Sequence, residues 1–379
     1  MLWHLVTPEF PPRVGGVSDY AQLIARGLAE AGDEVHVWCP PGGKSETSDR
    51  FLVHAELGGL RRADLDRLDG LLDRFASSGR LLVQWVPHGY GHRAMNLTFC
   101  LWLWRRSRRG DEIDLMVHEP YLAFWDGTWR QSAAAIVHRV MTIVLLRAAK
   151  RVWVAIPSWE RAWRPYTLGR QVPFGWLPIP SSLDEPDAEA VGLVRKRLAA
   201  DDRPLVGHFG TYGALVSDLL FALLPAVLEQ PVTPRVLLIG SGSEQFRTTF
   251  LKEQPQHEAA IYATGSLSPA DLSAHVAACD FLVQPYPDGI SSRRTTAMAG
   301  LRLGVPIVTT RGRLTEPLWD DAHAVKLSDV RDASGWARQV QDLLQRPEER
   351  GHLGRTGREL YERAFALRHT VAALRMART

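Results

Sequence analysis

A short run in the last third of the sequence combines residue types that suit anion binding. Its polar and flexible members are Asp288, Gly289, Ser291, Ser292, Arg293 and Arg294. Guanidinium groups pair with phosphate oxygens, and a loop leading into a helix adds backbone N–H groups at the positive end of the helix dipole. The run therefore predicts a phosphate or diphosphate site. A solvated loop with two exposed arginines is the alternative that the run alone leaves open.

The flanking residues place this run between a strand and a helix. Residues 281–283 are apolar and typical of a buried strand, and the prolines and glycine of 285–289 end it. The two serines are predicted to cap a helix that reaches about Arg302, with both arginines in its first turn. Gly304 would end that helix, and residues 305–308 form the next strand. Ligands of open α/β sheets bind at such carboxyl ends of strands.

Loops of small residues recur at the ends of other predicted strands in this half. Strands are predicted at 204–209, 236–239 and 260–263, each followed by a small-residue loop and a helix start. The candidate ligand-binding residues in these loops are Gly210, Thr211 and Gly242. Three such loops support a phosphate site better than any one of them.

The N-terminal half offers two further candidates. Strand 2–6 leads through a glycine-containing loop to a helix over 17–31, and Gly16 in that loop either makes a turn or lets a ligand approach the backbone. His118 follows a predicted strand at 113–117. It is either a structural histidine or a functional residue at the carboxyl end of a strand.

The whole chain alternates strands with helices, which predicts doubly wound α/β architecture. A chain of 379 residues is too long for one ordinary core. Residues 175–186 are rich in proline and lack periodicity, so they are predicted to link two domains. The predicted domains cover residues 1–178 and 179–365.

Composition excludes several classes of protein. The net charge of +3 is too small for a nucleic-acid-binding surface. Three widely spaced cysteines give no metal-binding or disulfide pattern, and the chain has neither a signal peptide pattern nor a long apolar run. These features predict a cytoplasmic protein without a bound metal or cofactor.

One segment, residues 97–109, leaves a membrane contact open. It combines tryptophans and leucines with four arginines. Such a segment can lie at a lipid interface, peripheral to the inner face of the membrane. The alternative is a core helix with a solvated basic end.

The order of the motifs resembles the retaining glycosyltransferases of the GT-B fold, of the family 4 type found in cell-wall and lipopolysaccharide synthesis. The segments that carry the resemblance are Phe10-Pro11-Pro12, Gly15-Gly16-Val17, His118-Glu119, Ile239-Gly240-Ser241-Gly242, Ala297-Met298-Ala299 and Gly304-Val305-Pro306. The resemblance implies two Rossmann-like domains facing a cleft, with a C-terminal helix (366–379) packed back on the N-terminal domain.

The resemblance also implies a function. A sugar would pass from a nucleotide-sugar donor, bound by the C-terminal domain, to a carbohydrate, lipid-linked or small-molecule acceptor with retention of configuration. Gly16 would lie by the diphosphate and His118 near the reactive face of the sugar. Asp288 and the backbone of residues 289–292 would contact sugar hydroxyls and phosphates, and the donor phosphate would help deprotonate the acceptor.

Two departures from the family pattern affect this expectation. The family has two glutamates eight positions apart, where this chain has Asp288 and Thr296. The arginine and lysine that grip the diphosphate align with His208 and Gly213, and Arg293 or Arg294 is the hypothesised replacement. A non-catalytic sugar-nucleotide-binding or scaffolding protein of the same fold therefore remains the alternative to a hexosyltransferase.

Overall fold

The computed structural model describes residues 1–13, 15–42, 50–75, 79–91, 94–122, 124, 129–199, 201 and 203–376. The chain divides into two compact units. The N-terminal unit comprises Met1–Pro178 and Leu367–Thr379, and the C-terminal unit comprises Ile179–Ala366. Each contains one parallel β-sheet flanked by helices. The predicted doubly wound α/β architecture is therefore confirmed for both units.

The N-terminal unit has a seven-stranded sheet. Its strands are β1 (Leu2–Val6), β2 (Glu34–Trp38), β3 (Leu52–His54), β4 (Arg80–Trp85), β5 (Glu112–Val117), β6 (Arg151–Val154) and β7 (Phe174–Trp176). Its first five helices are α1 (Gly16–Glu30), α2 (Arg62–Leu72), α3 (Leu97–Arg108), α4 (Trp129–Ala148) and α5 (Pro157–Trp163). The strand order is β3-β2-β1-β4-β5-β6-β7. The order reverses between β1 and β4, which is where such sheets hold ligands.

The C-terminal unit has a six-stranded sheet in the order β10-β9-β8-β11-β12-β13. Its strands are β8 (Leu205–Phe209), β9 (Arg235–Ile239), β10 (Ile261–Ala263), β11 (Phe281–Gln284), β12 (Ile307–Arg311) and β13 (Lys326–Asp329). Its helices are α6 (Ala188–Leu198), α7 (Ala214–Leu228), α8 (Ser243–Glu253), α9 (Pro269–Ala277), α10 (Thr295–Arg302), α11 (Leu318–Ala322), α12 (Ala333–Gln345) and α13 (Pro347–Leu360). The order reverses between β8 and β11.

The core of the C-terminal unit lies on both faces of its sheet. Leu205 and Leu282 pack into one apolar cluster, whereas Val206 and Phe281 pack into the other. Successive residues of a strand point to opposite faces, and parallel strands covered on both faces are therefore continuously apolar. This explains why the apolar runs predicted these strands.

The last helix, α14 (Leu367–Met376), belongs to the N-terminal unit and packs on α1. A Cβ atom at Gly27 would lie 2.9 Å from Val371 Cγ2 and 3.1 Å from Leu367 Cδ2, so glycine permits this close contact. Arg80 also donates to the carbonyl of Leu374 at 3.0 Å. Residues 377–379 of the predicted terminal helix lie outside the described part.

Three short edge strands, β3, β7 and β13, were not predicted. Strand β7 includes the first two residues of the predicted linker, where Gly175 pairs with Trp153 and Trp176 pairs with Val154. A Cβ atom at Gly175 would lie 2.4 Å from the Trp153 ring. An edge strand of three or four residues depends on its neighbour for hydrogen bonds, so its own sequence carries little signal.

The described residues contain no helix long and apolar enough to cross a membrane. All three cysteines, Cys39, Cys100 and Cys279, are buried free thiols. Within α3, Phe99, Cys100, Trp102, Leu103 and Arg106 are buried, which makes one side of this helix part of the core.

Candidate functional site

Four loops of the C-terminal unit meet at the carboxyl edge of its sheet, because they follow the adjacent strands β9, β8, β11 and β12. The loops after β8 and β9 touch through their backbones. A Cβ atom at Gly240 would lie 2.3 Å from the carbonyl oxygen of Gly210, and one at Gly242 would lie 3.2 Å from that of Thr211. Gly240 and Gly242 also adopt φ of +110° and +88°. Glycine is therefore required here, and the predicted residues Gly210, Thr211 and Gly242 lie together.

The loops after β11 and β12 form a second pair. Gly289 has φ of +83°, and a Cβ atom there would lie 2.2 Å from the backbone nitrogen of Gly312. The carbonyl oxygen of Asp288 accepts a hydrogen bond from the N–H of Leu314 at 2.9 Å, and that of Thr310 accepts one from Ile290 at 2.8 Å. The loop after β12 thus fixes the backbone beside Asp288.

A buried carboxylate, Glu316, holds the residues that follow this loop. Its two oxygens accept from the N–H of Ser292 at 3.0 and 3.2 Å, and it is also bonded to the Ser292 hydroxyl. It accepts from the Trp319 indole N–H at 2.8 Å. Burial raises the pKa of Glu316, although these hydrogen bonds oppose the shift. Sequence reasoning missed Glu316 because its partner Ser292 lies 24 residues away.

This contact corrects the predicted helix start. The Ser292 hydroxyl is bonded to Glu316 instead of capping a helix, so α10 begins at Thr295 with Arg294 as the N-cap residue. Arg293 and Arg294 therefore precede the helix and do not lie in its first turn. Ser291 is fully buried, and its hydroxyl has no hydrogen-bond partner among the described residues.

The two predicted arginines have different surroundings. Arg293 Nη2 lies 3.6 Å from Asp288 Oδ2, while Arg313 Nε donates to Asp288 Oδ1 at 2.9 Å. The Arg294 guanidinium lies over the Tyr286 ring, 4.6 Å from its centroid. Asp288 is thus paired with two cations, one of which, Arg313, was not predicted. Its position after β12, next to Gly312, was the available signal.

Thr296 lies in the first turn of α10, and its hydroxyl is 2.7 Å from the Tyr286 hydroxyl. Burial raises the pKa of Tyr286 to about 12, so this phenol is neutral. A neutral pair of hydroxyls therefore stands where the resemblance leads one to expect a carboxylate.

His208 supplies no positive charge at this edge. Its Nδ1–H donates to the Val283 carbonyl at 2.8 Å, and Nε2 has no partner among the described residues. Burial lowers the pKa of His208 to about 4, so the ring is neutral near pH 7. Gly213, the other aligned position, is the N-cap residue of α7 and has no side chain. The cations of this edge are therefore the arginines of the two later loops.

In the N-terminal unit, Gly16 is the first residue of α1. A Cβ atom built there would meet no heavy atom within 4 Å, so the space before it is open. The carboxylate of Glu9, however, accepts from the N–H of Ser18 at 3.1 Å and already occupies the helix start. Burial, and secondly the charge of Glu9, raise the pKa of Asp19. An anion at Gly16 would have to compete with this carboxylate for the backbone N–H groups at the start of α1.

His118 follows β5 in the same unit and is half-buried. Its Nε2 lies 2.8 Å from Gln84 Oε1, an acceptor, which places the proton on Nε2 and leaves Nδ1 as an acceptor. The Tyr20 ring packs edge-on at 4.9 Å. Burial lowers the pKa of His118 to about 3. The imidazole is therefore a neutral hydrogen-bonding group near pH 7.

The structure thus gathers ten predicted residues at one edge of the C-terminal sheet and two at the corresponding edge of the N-terminal sheet. The ten are Gly210, Thr211, Gly242, Asp288, Gly289, Ser291, Ser292, Arg293, Arg294 and Thr296, and the two are Gly16 and His118. Among the described residues, no group of three or more histidine, cysteine or acidic side chains is arranged to hold a metal ion.

Two sequence families match the chain in succession. Residues 14–172 match the profile described as Glycosyltransferase Family 4, and residues 203–346 match that described as Glycosyl transferases group 1. A comparison with curated protein sequences finds no significant match.

Solved structures show the same fold over nearly the whole chain. Sucrose-phosphate synthase from Thermosynechococcus elongatus has a TM-score of 0.74 at 17% identity, covering 99% of this chain and 97% of the other. Anabaena HepE in complex with UDP-glucose gives 0.70 at 13% identity, with 99% of both chains covered. WaaG, a glycosyltransferase involved in lipopolysaccharide biosynthesis, gives 0.67 at 13%, again with 99% of both covered.

The two sheets and these likenesses define the GT-B fold. The two consecutive family matches show a glycosyltransferase similar to those of family 4.

Proposed function

We propose that this glycosyltransferase moves a sugar, a hexose in our expectation, from a nucleotide-sugar donor to an acceptor with retention of configuration. The observation that carries the proposal is the junction of four loops at the carboxyl edge of the C-terminal sheet. Two of them expose glycine backbone, and two contribute Arg293, Arg294 and Arg313. HepE, a protein of the same fold, is in complex with UDP and with UDP-glucose in solved structures.

The chemistry follows from the charges at this edge. A departing nucleoside diphosphate is anionic, and the arginines would stabilise the charge that develops as the bond to the sugar breaks. A neutral residue at position 118 would orient a sugar hydroxyl by hydrogen bonding. The donor phosphate would accept the acceptor's proton, so that no second carboxylate and no metal is needed.

The alternative, a non-catalytic sugar-nucleotide-binding or scaffolding protein, also has a specific observation in its favour. The Asp288 carboxylate is already paired with Arg293 and Arg313, and Thr296 has only a hydroxyl, which is bonded to Tyr286. Neither position therefore offers a free carboxylate to the donor. Such a protein would bind the donor without turnover. For the enzyme, we propose an acceptor that is a carbohydrate, a lipid-linked molecule or a small molecule.

A panel of nucleotide sugars tests the proposal. We expect at least one donor to be hydrolysed or transferred, with release of the nucleoside diphosphate and a product that keeps the donor's anomeric configuration by NMR. Alanine at Arg293 or at Arg294 should weaken nucleoside diphosphate binding for at least one of the two, whereas Arg331→Ala, an exposed control in the same unit, should not. Binding without turnover of any donor would favour the alternative, and an inverted product would refute retention.

A further inference from the structure

The outer surface of α3 and α4 is exposed and largely apolar at one end and basic at the other. We call it the α3–α4 face. Its residues are Leu97, Trp104, Arg105 and Arg108 of α3 and Ile136, Val140 and Arg147 of α4. Trp104 is 40% exposed and Ile136 is 57% exposed. The inward residues of α3 belong to the core. Only the exposed side chains of the α3–α4 face are therefore available to contact a partner.

The two helices lie side by side with the same direction, because they follow the neighbouring parallel strands β4 and β5. Residues 97, 104 and 108 recur at helical spacing on α3, as do 136, 140 and 147 on α4. Arg105, Arg108 and Arg147 fall in the C-terminal turns of the two helices. The exposed apolar residues therefore adjoin a common basic end.

Neither helix contains a single aspartate or glutamate, although the protein has 42 acidic residues. Together they carry six arginines. Acids near α3 are already paired: Asp69 and Asp73 of α2 with Arg106 and Arg109, Asp111 with Arg106, and Glu112 with Lys150. Arg105, Arg108 and Arg147 form no ion pair within the part of the chain that the structure describes.

The loop after β5, which leads into α4, adds apolar bulk. Leu122 and Phe124 are 41% and 40% exposed. The Arg139 guanidinium lies 3.6 Å from the centroid of the Phe124 ring and 4.4 Å from that of Tyr121. This loop repeats the combination of arginine with exposed apolar side chains.

We propose that the α3–α4 face docks this protein on an anionic lipid surface. Favourable contact with the helix dipole accounts for arginines at helix C-termini, but it does not account for exposed tryptophan, isoleucine and valine beside them. Tryptophan prefers the depth of lipid headgroups, aliphatic side chains gain by leaving water, and arginines attract anionic headgroups. The inference does not depend on the identity of the donor sugar.

Co-sedimentation of the full chain with vesicles tests this docking. We expect binding to vesicles of phosphatidylglycerol and phosphatidylcholine in equal parts at low salt, weaker binding at high salt, and little binding to phosphatidylcholine alone. The triple variant Arg105→Gln, Arg108→Gln, Arg147→Gln should partition about a hundredfold more weakly, at roughly fivefold for each lost charge. Ile136→Ser should also weaken binding, since it removes an apolar contact.

A matched triple variant controls for net charge: Arg331→Gln, Arg338→Gln and Arg355→Gln, all exposed in the C-terminal unit. It should bind vesicles like the wild type. Circular dichroism and nucleoside diphosphate binding should be unchanged in both triple variants, which separates this proposal from that on the donor. Absence of sedimentation with anionic vesicles at low salt, or equal losses in the two triple variants, would overturn the proposal. So would binding by the wild type that is the same with and without phosphatidylglycerol.

Discussion

Removing the carboxylate of Glu316 should destabilise the loop that carries Ser292, Arg293 and Arg294 at the candidate donor site. In Glu316→Ala three buried donors lose their acceptor, namely the N–H and hydroxyl of Ser292 and the indole N–H of Trp319. A buried donor left unpaired costs about 1–3 kcal/mol. Because the Ser292 hydroxyl can rotate and water can enter the vacated space, we expect a loss at the low end, about 3 kcal/mol in all. Glu316→Gln keeps one acceptor oxygen, and we expect a loss of about 1 kcal/mol.

Hydrogen-exchange mass spectrometry of the full chain measures this loss locally. In Glu316→Ala the amides of residues 281–302 and 307–319 should exchange about a hundredfold faster, the equivalent of roughly 3 kcal/mol, while β1 and β4 should be unaffected. Nucleoside diphosphate binding should weaken, because Arg293 and Arg294 directly follow Ser292. Glu253→Ala, which removes an exposed carboxylate from the same unit, is the control and should change stability by less than about 0.5 kcal/mol.

The reasoning would be refuted by a Glu316→Ala variant that exchanges no faster than the control. Equal effects of alanine and glutamine at this position would also contradict it, since they would mean that hydrogen bonding to the carboxylate is not what holds the loop.

Four further predictions concern single positions. His118→Ala should lower turnover at least about tenfold, or about 1.4 kcal/mol in the barrier, with the fold intact; wild-type turnover would remove His118 from the site. Alanine at Arg293 or Arg294 should cost about 1.5–3 kcal/mol of nucleoside diphosphate binding for at least one of them, measured by calorimetry, and no loss even in the double variant would contradict it. Thr296→Glu should tighten that binding by about 1 kcal/mol if the ribose lies against α10, and weaker binding by a folded variant would show that it does not. Burial lowers the pKa of His4 to about 3 from 6.5, so the unfolded chain takes up a proton at a higher pH than the folded protein does. The free energy of unfolding should therefore fall as the pH drops from 6.5 towards 3, by up to about 1.4 kcal/mol per pH unit. Denaturant titrations at pH 7 and 5 should show a smaller fall for His4→Gln, and an equal fall would exclude His4 as the cause.

Local features of the chain were predictable because their causes lie within a few residues. The apolar runs of β1 and β11 identify strands since both faces of each sheet are covered. In Ser268-Pro269-Ala270-Asp271 the serine, proline and acid are typical of a helix start, and the Ser268 hydroxyl accepts from the N–H of Asp271 at 3.2 Å. The order of such elements predicted the α/β fold, and the resemblance of the motifs predicted the glycosyltransferase family.

Tertiary structure decided what depends on distant partners. Ser292 has the residue type of a helix cap, as Ser268 does, but it lies beside a buried carboxylate from the next strand's loop, and the stronger charge-assisted hydrogen bond sets its role. The hydrogen bond from Ser18 to Glu9 at the start of α1 and the pairing of Arg313 with Asp288 were likewise not predictable, because the fold brings these residues together. The sequence determined by itself the central strands of both sheets and the loops at their carboxyl edges. Only the tertiary structure decided which side chains in those loops are already hydrogen-bonded or ion-paired within the protein, because their partners lie far away along the chain.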